Sequence, residues 1–244
     1  MLGIDIQGSS RPSRDDSVLP TLRAAQTRLI AEALGQQGVD KSAYALRSRG
    51  DGGRYDFRPG VSPVPVVEAV TGRLPGLLRR HNKESSEALQ LVLRLVVHGG
   101  YLVPTPDGGD ADGADVNLLH GMLDAEQLRS ELADNSASYV LAVSESIWYG
   151  AVRHGHGELD PDAFTPTELT VKGGVRAAAW LTPAARTPRP ALSPEHSEAG
   201  KAGRAPRQDG GDSASPDERP RPGITFNGRV RAKNVVSGEQ WNIR

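Results

Sequence analysis

The chain has 244 residues, enough for one sizeable domain with appendages or for two small ones. A net charge of −1 sets aside a general pull toward nucleic acid or acidic membrane, and the lack of cysteine rules out a disulfide framework and a thiolate zinc site. No apolar run approaches the roughly 20 residues that span a membrane, and no basic start with an apolar segment and cleavage site opens the chain. A soluble, cytoplasmic protein is the expectation, with neither nucleic acid nor membrane as partner.

Leu2, Ile4 and Ile6 alternate as a short buried strand, with the carboxylate of Asp5 among them and a Gly8-Ser9-Ser10 turn behind. An isolated ionised carboxylate in a core is very costly. Asp5 therefore sits at the strand's mouth, is hydrogen-bonded, or faces a cation. Val18, Leu22, Ala25, Leu29 and Ala33, after Asp15 and Asp16, have amphipathic helical spacing, with Gly35 and Gly38 as stop signals. Tyr44 to Arg47 and Tyr55 to Phe57 are short extended runs around Arg49-Gly50-Asp51-Gly52-Gly53, a hairpin pattern. Asp5 and Asp51 thus stand at two strand ends, where glycine permits close backbone approach and oxygen ligands suit divalent cations.

Val66, Val70, Leu74, Leu77 and Leu78 form a second helical pattern that Pro75 kinks or splits. Leu89 to Val97 is a dense apolar run of the kind found in central strands buried on both faces. His98-Gly99-Gly100 ends it, and Tyr101 to Val103 reads as a return strand. Asp107 to Asp115 is an acidic, Gly-rich loop. A helix is predicted over Val116 to Leu132, a strand over Tyr139 to Val143, and a helix capped by Ser144 with Ile147, Trp148 and Val152. Leu169 to Val171 and Val175 to Leu181 pair around Lys172-Gly173-Gly174. The alternation of strands and helices argues one sheet with helices packed on it.

Composition changes after Pro183. Residues 184–222 are rich in Pro, Gly, Ser and charge and nearly lack large apolar groups, so a disordered linker is expected there. This divides the chain into a domain at 1–183, the linker at 184–222 and a tail at 223–244.

Several motifs stand in order: Gly3-Ile4-Asp5-Ile6-Gln7-Gly8-Ser9-Ser10, Arg49-Gly50-Asp51-Gly52-Gly53, Arg94-Leu95-Val96-Val97-His98-Gly99-Gly100, the segment from Asp110 through Gly113 to Val116-Asn117, and Val171-Lys172-Gly173. Together they resemble the catalytic domain of the class III adenylate/guanylate (nucleotidyl) cyclases, over roughly residues 1–182. The resemblance implies an α+β fold with a ferredoxin-like βαββαβ core and additional strands and helices. It also implies head-to-tail homodimers with active sites at the interface. By position, Asp5 and Asp51, assisted by the Ile6 carbonyl, would hold two Mg²⁺ (or Mn²⁺) ions that bind the triphosphate of ATP or GTP and activate the ribose 3′-hydroxyl. Asp110 matches the base-reading position, Asn117 the ribose-orienting one, and Lys172 the residue that neutralises the triphosphate. Cations must wait where charge develops on the phosphate oxygens.

Two positions depart from the pattern. Gly121 stands where the family has a transition-state Arg, one helical turn after the Asn; losing one such donor costs on the order of 10²–10³ in rate. Arg47 replaces the base-reading Lys, and a planar fork is not equivalent to an ammonium. An active cyclase and a catalytically impaired nucleotide-binding or adaptor relative both remain open.

Other groups have plainer readings. His154, His156 and Asp160 lack a third certain ligand for a metal. Asp110, Asp112 and Asp115 lack the terminal Glu of a calcium loop. His98 reads as a strand-end structural residue, and Trp148 and Trp180 as core. In the tail, Ile224, Phe226, Val230 and Ala232 alternate with polar residues, and Asn227, Asn234, Gln240 and Asn242 would form ladders if copies stacked. Asn227-Gly228-Arg229-Val230 followed by Asn234-Val235-Val236-Ser237-Gly238-Glu239-Gln240 resembles bacterial amyloid signalling motifs. That resemblance implies a receptor-type NTPase carrying a matching motif as partner. A disordered tail, or a strand added to a partner's sheet, is the other reading.

Overall fold

The structure is a computed structural model that describes residues 1–8, 14, 17–50, 52–103, 113–135 and 137–182. Asp51 and Asp110 lie outside these residues, as do the linker and tail expected at 184–222 and 223–244.

The periodicity of the first half is realised in order. Strand β1 (Leu2–Ile6) leads to helix α1 (Val18–Gln36), then to the hairpin of β2 (Tyr44–Arg49) and β3 (Gly52–Phe57). Helix α1 buries Leu22, Leu29, Ile30, Ala33 and Leu34. Gly35 is inside it; Gly38, at φ 73°, makes the turn that ends it. Helix α2 (Pro63–Glu68) follows, capped by the Ser62 hydroxyl, which accepts from the Val64 amide. A widened π turn over Ala69–Arg73 then joins it to α3 (Leu74–Glu84). Pro75 explains the widening: it has no amide hydrogen, and its ring crowds the carbonyl one turn back.

Strand β4 (Leu93–Val97) is buried on both faces. It is shorter than expected because Glu87–Leu89 forms a 3₁₀ turn and the Leu91 backbone bonds the Asn82 side chain through both its amide and its carbonyl, at 2.8 Å each. Tyr101 to Val103 is not a return strand. Tyr101 and Val103 are 88% and 61% exposed. β4 is already flanked by β1 and β5 (Tyr139–Ser144), which leaves no edge for a returning strand.

The single helix expected over Val116 to Leu132 is two, α4 (Ala114–Leu123) and α5 (Glu126–Asn135). The break has a cause: the Leu123 carbonyl accepts from Arg94 Nη1 at 2.9 Å, and Ala125 is buried at the turn. Helix α6 (Glu145–Gly150) and the hairpin of β6 (Thr165–Thr170) and β7 (Arg176–Thr182) complete the described fold.

The seven strands form one mixed sheet in the order β2-β3-β1-β4-β5-β7-β6. β1 pairs antiparallel with β3 and β4, and β2 antiparallel with β3; only β4 and β5 run parallel. The segment from β1 through β4 is therefore the ferredoxin-like βαββαβ core expected of the sequence, with β5 to β7 added along the β4 edge.

Two apolar cores lie on the sheet's two faces. Leu2, Ile4, Ile6, Leu93, Leu95 and Val97 point to one, under α1, α2 and α3. Val96, Val140 and Ala142 point to the other, under Leu119, Met122 and Leu123 of α4 and Leu128 and Leu132 of α5. Period-2 alternation puts Gly3 and Asp5 on this second face. Trp148 and Trp180, expected in the core, are half-buried and stack on each other at 4.9 Å against the outside of the first core. No helix among the described residues is long and apolar enough to cross a membrane.

Candidate active site

Asp5 is opposite Gly52 of β3 and Arg94 of β4. Gly52 is obligatory: a Cβ there would collide with the Ile4 carbonyl oxygen. The carboxylate is partly exposed, at 17%, while the Arg94 side chain is 8% exposed. Arg94 donates to Asp5 Oδ2 from Nε at 3.0 Å and also from Nη2, and it donates to the Leu123 carbonyl from Nη1. Of the three readings open for Asp5, two hold together: it stands near the end of its strand, and it is hydrogen-bonded. Ile6 pairs with Leu93 beyond it.

The pairing of Arg94 with Asp5 was not foreseen from the sequence, where Arg94 stands only as the first residue of a motif. Its signal was there in Leu93-Arg94-Leu95-Val96-Val97: a permanent charge inside a run buried on both faces demands an anionic partner. The same reasoning finds Arg54 and Asp56 on β3. They form a two-bond pair, Nε to Oδ1 at 2.7 Å and Nη2 to Oδ2 at 2.9 Å, with side chains 6% and 9% exposed. Arg47 of β2 stands opposite Arg54. Arg47, Arg54, Asp56, Asp5 and Arg94 thus share the α4-bearing face of the sheet.

Helix α4 is tied down at both ends. Near its N-terminus Asp115 Oδ2 accepts from the Tyr101 amide at 2.6 Å, and its Oδ1 lies 3.5 Å from His98 Nε2. Burial holds the His98 imidazole below its ordinary value of 6.5, partly opposed by Asp115. His98 is 4% exposed, which fits the strand-end role expected of it. At the other end Arg94 takes the Leu123 carbonyl, where a helix presents negative partial charge.

Asn117 is an exposed residue of α4. Gly121, one turn on, faces Val171: a Cβ at Gly121 would lie 3.0 Å from Val171 Cβ. Val171 precedes the exposed Lys172 in the β6–β7 turn, where Gly173 and Gly174 take φ of 84° and 75°. Asn117 and Gly121 are one turn apart on α4, and Val171, the residue before Lys172, packs on Gly121. Leu119 and Leu123 point the other way, against Gly3 of β1, where an added Cβ would lie 2.7 Å from Leu123 Cδ1. Gly121 and Leu123 are roughly 200° apart around the helix at 3.6 residues per turn. Gly121 and Leu123, whose carbonyl Arg94 binds, thus face different sides of α4.

Mg²⁺ takes oxygen ligands, commonly one or two carboxylates completed by water and substrate phosphates. Asp5 fits that mode: a hard oxygen donor near a strand end, oriented by a hydrogen-bonding neighbour. Among the described residues there is no group of three or more His, Asp or Glu able to hold a metal. An ion at Asp5 would therefore depend on oxygens from elsewhere. His154 and His156 lie 5.4 Å apart ring to ring, but His154 Nε2 is 3.0 Å from the Tyr149 carbonyl and Asp160 caps a 3₁₀ turn through the Asp162 amide. A cleft lined by Thr71, Tyr139, Leu159, Phe164 and Thr182 contains none of the expected site residues.

No protein-family model matches the chain, and neither does any curated protein. Among solved structures it is similar to the catalytic core of a rhodopsin-guanylyl cyclase with converted specificity in complex with ATPαS, at 17% identity and TM-score 0.45 over 75% of this chain and 93% of that one. It is similar to adenylate cyclases of Trypanosoma brucei in their monomeric state, at 14% identity and TM-score 0.46 over 76% and 88%. It is also similar to the guanylate cyclase domain of RhGC from Catenaria anguillulae in complex with GTP, at 15% identity and TM-score 0.44 over 75% and 94%.

Proposed function

We propose that residues 1–183 form a nucleotidyl cyclase-type signalling domain that binds ATP or GTP and forms a 3′,5′-cyclic nucleotide and pyrophosphate. The carrying observation is the placement of Asp5 near its strand end, across from a glycine that admits no side chain and that leads back to Asp51. The order of the sequence motifs supports the same reading. Mg²⁺ or Mn²⁺, bound through Asp5, the Ile6 carbonyl and Asp51, would activate the 3′-hydroxyl and neutralise phosphate charge. Arg47 and Asp110 read the base, Asn117 orients the ribose, and Lys172 sets a cation against the triphosphate. A complete site would draw on a second copy, with Asp5 of one chain facing Asn117 and Lys172 of the other, as the resemblance to the nucleotidyl cyclases implies. The tail at 223–244 would deliver the domain to a receptor-type NTPase by amyloid-type assembly.

Purified full-length protein with ATP or GTP and Mn²⁺ should yield cyclic product by mass spectrometry, and Asp5→Ala should abolish it. Product unchanged by Asp5→Ala would discard the reading.

A second reading has its own observation: Val171 fills the space that a side chain at position 121 would need. On that reading the domain binds nucleotide without cyclising it and acts as an adaptor recruited through its tail. Nucleotide binding without product, under conditions where a known cyclase turns over, would establish it. A peptide of residues 223–244 should bind thioflavin and form fibres; one that stays soluble and unstructured at high concentration would remove the assembly role.

A further inference from the structure

Arg94 makes more contacts than an ordinary surface ion pair. It stands opposite Asp5 in register, is nearly excluded from solvent, and spends Nε and Nη2 on one oxygen of Asp5 and Nη1 on the last carbonyl of α4. Its planar guanidinium forks to both partners at once, which an ammonium cannot do.

We propose that Arg94 is the positioning residue of Asp5 and that it makes divalent-cation binding depend on nucleotide. Three consequences of the geometry lead there. Two N–H groups converge on Asp5 Oδ2, so a cation that used that oxygen would have to displace a buried guanidinium. Asp5 therefore offers a cation one oxygen at most. The guanidinium also repels any cation that approaches the carboxylate, in a setting where screening by water is weak. A nucleoside triphosphate reverses that balance, because its phosphates bring negative charge and further oxygen ligands together with the ion. Finally, the bond to Leu123 anchors the guanidinium at the end of α4, so it cannot swing away from Asp5 without giving up that carbonyl as well. The inference rests on the cation role proposed for Asp5, and it concerns the order of binding rather than the reaction.

The test measures Mn²⁺ binding to the full chain without nucleotide, from the paramagnetic resonance signal of free Mn²⁺, in wild type, Asp5→Asn, Arg94→Met and Arg94→Lys. Circular dichroism and thermal melting establish that each variant is folded. Wild type should bind Mn²⁺ weakly, and Asp5→Asn should remove that binding. Arg94→Met should tighten it by about ten- to hundredfold, the scale of removing one like charge about 5 Å away at a dielectric between that of water and a protein surface. Arg94→Lys should fall between, since one ammonium cannot serve both Asp5 and Leu123. Should the Met variant fail to fold, the Lys variant decides. A purely structural Arg94 would predict weaker binding in both variants, so tightening separates the two roles. Unchanged or weaker Mn²⁺ binding in the folded Arg94 variants, with Asp5→Asn still sensitive, overturns this inference alone. Insensitivity of Mn²⁺ binding to Asp5→Asn overturns it together with the cation role of Asp5.

Discussion

Position 121 is where the proposed chemistry and the packing meet. A Cβ built there lies 3.0 Å from Val171 Cβ and 3.4 and 3.7 Å from its two methyls. Gly121→Arg alone therefore overpacks the gap between α4 and the β6–β7 hairpin. Overpacking of this kind costs about 1–3 kcal/mol, less the roughly 1 kcal/mol that a helix gains when glycine is replaced. For a domain of this size each kcal/mol moves Tm by about 2–4 °C, so a fall of several degrees is expected. Val171→Gly removes all three contacting atoms. By itself it costs about 2–3 kcal/mol of burial, but it makes room for the arginine stem. The double variant should accordingly be more stable than the sum of the singles, with a coupling of about 0.5–3 kcal/mol in a double-mutant cycle of thermal melts. If the domain is a cyclase lacking one transition-state donor, the double variant should also form cyclic product faster than wild type, by up to a factor on the order of 10²–10³. Simple additivity in the melts would show that Gly121 does not abut Val171. Coupling without a gain in product would show that position 121 is not where the missing donor belongs.

Three further outcomes test the framework. Breaking the buried Arg54–Asp56 pair by Asp56→Ala leaves a guanidinium without its carboxylate and should cost about 3–5 kcal/mol; Arg54→Met with Asp56→Leu should recover most of it, and equal losses in both would refute the pairing. Gly52→Ala, which drives a Cβ into the Ile4 carbonyl, should cost about 3 kcal/mol or more in denaturant melts. Gly53→Ala meets the end of the Leu46 side chain at 3.2 Å, with the Arg47 carbonyl and Gln26 Nε2 at ordinary contact distances of 3.7 and 3.9 Å, and should cost clearly less; the reverse order would mean β3 is turned over. His98 is held neutral by burial, so its native value lies below 6.5. Between that lowered value and 6.5 the unfolded chain binds a proton that the native one refuses, so stability falls as pH drops below about 6.5. His98→Gln should flatten that slope; an unchanged slope between pH 7 and pH 5 would place its origin elsewhere.

The parts of the site legible in the sequence were those that a local pattern dictates. Alternation of Leu2, Ile4 and Ile6 forces Asp5 onto the opposite face, the Gly50-Asp51-Gly52-Gly53 turn requires a hairpin, and Pro75 interrupts a helix wherever it falls. These are consequences of two or three neighbouring residues, so they survive any tertiary context. The extent of the helix after Gly113 was not of that kind. Its apolar spacing continues through Leu128 and Leu132, and only a guanidinium from residue 94 diverts the Leu123 carbonyl and stops α4. The return strand at Tyr101 to Val103 failed for a related reason: local propensity cannot tell that both edges of β4 are taken.

Order in the sheet, and with it the relation among distant residues, is what only the tertiary structure decided. Sequence alone determined that a carboxylate near the end of the first strand needs a partner; that Gly121 stands where an arginine would be expected came only from a resemblance. Sequence did not determine that the partner is Arg94, that Val171 packs against Gly121, or that the same guanidinium holds the Leu123 carbonyl at the end of α4. Those facts arise because hydrogen-bonded strands bring together residues separated by 89 positions, as in the Asp5–Arg94 pair, and because a helix laid on a sheet has two flanks whose neighbours are set by packing rather than by spacing along the chain.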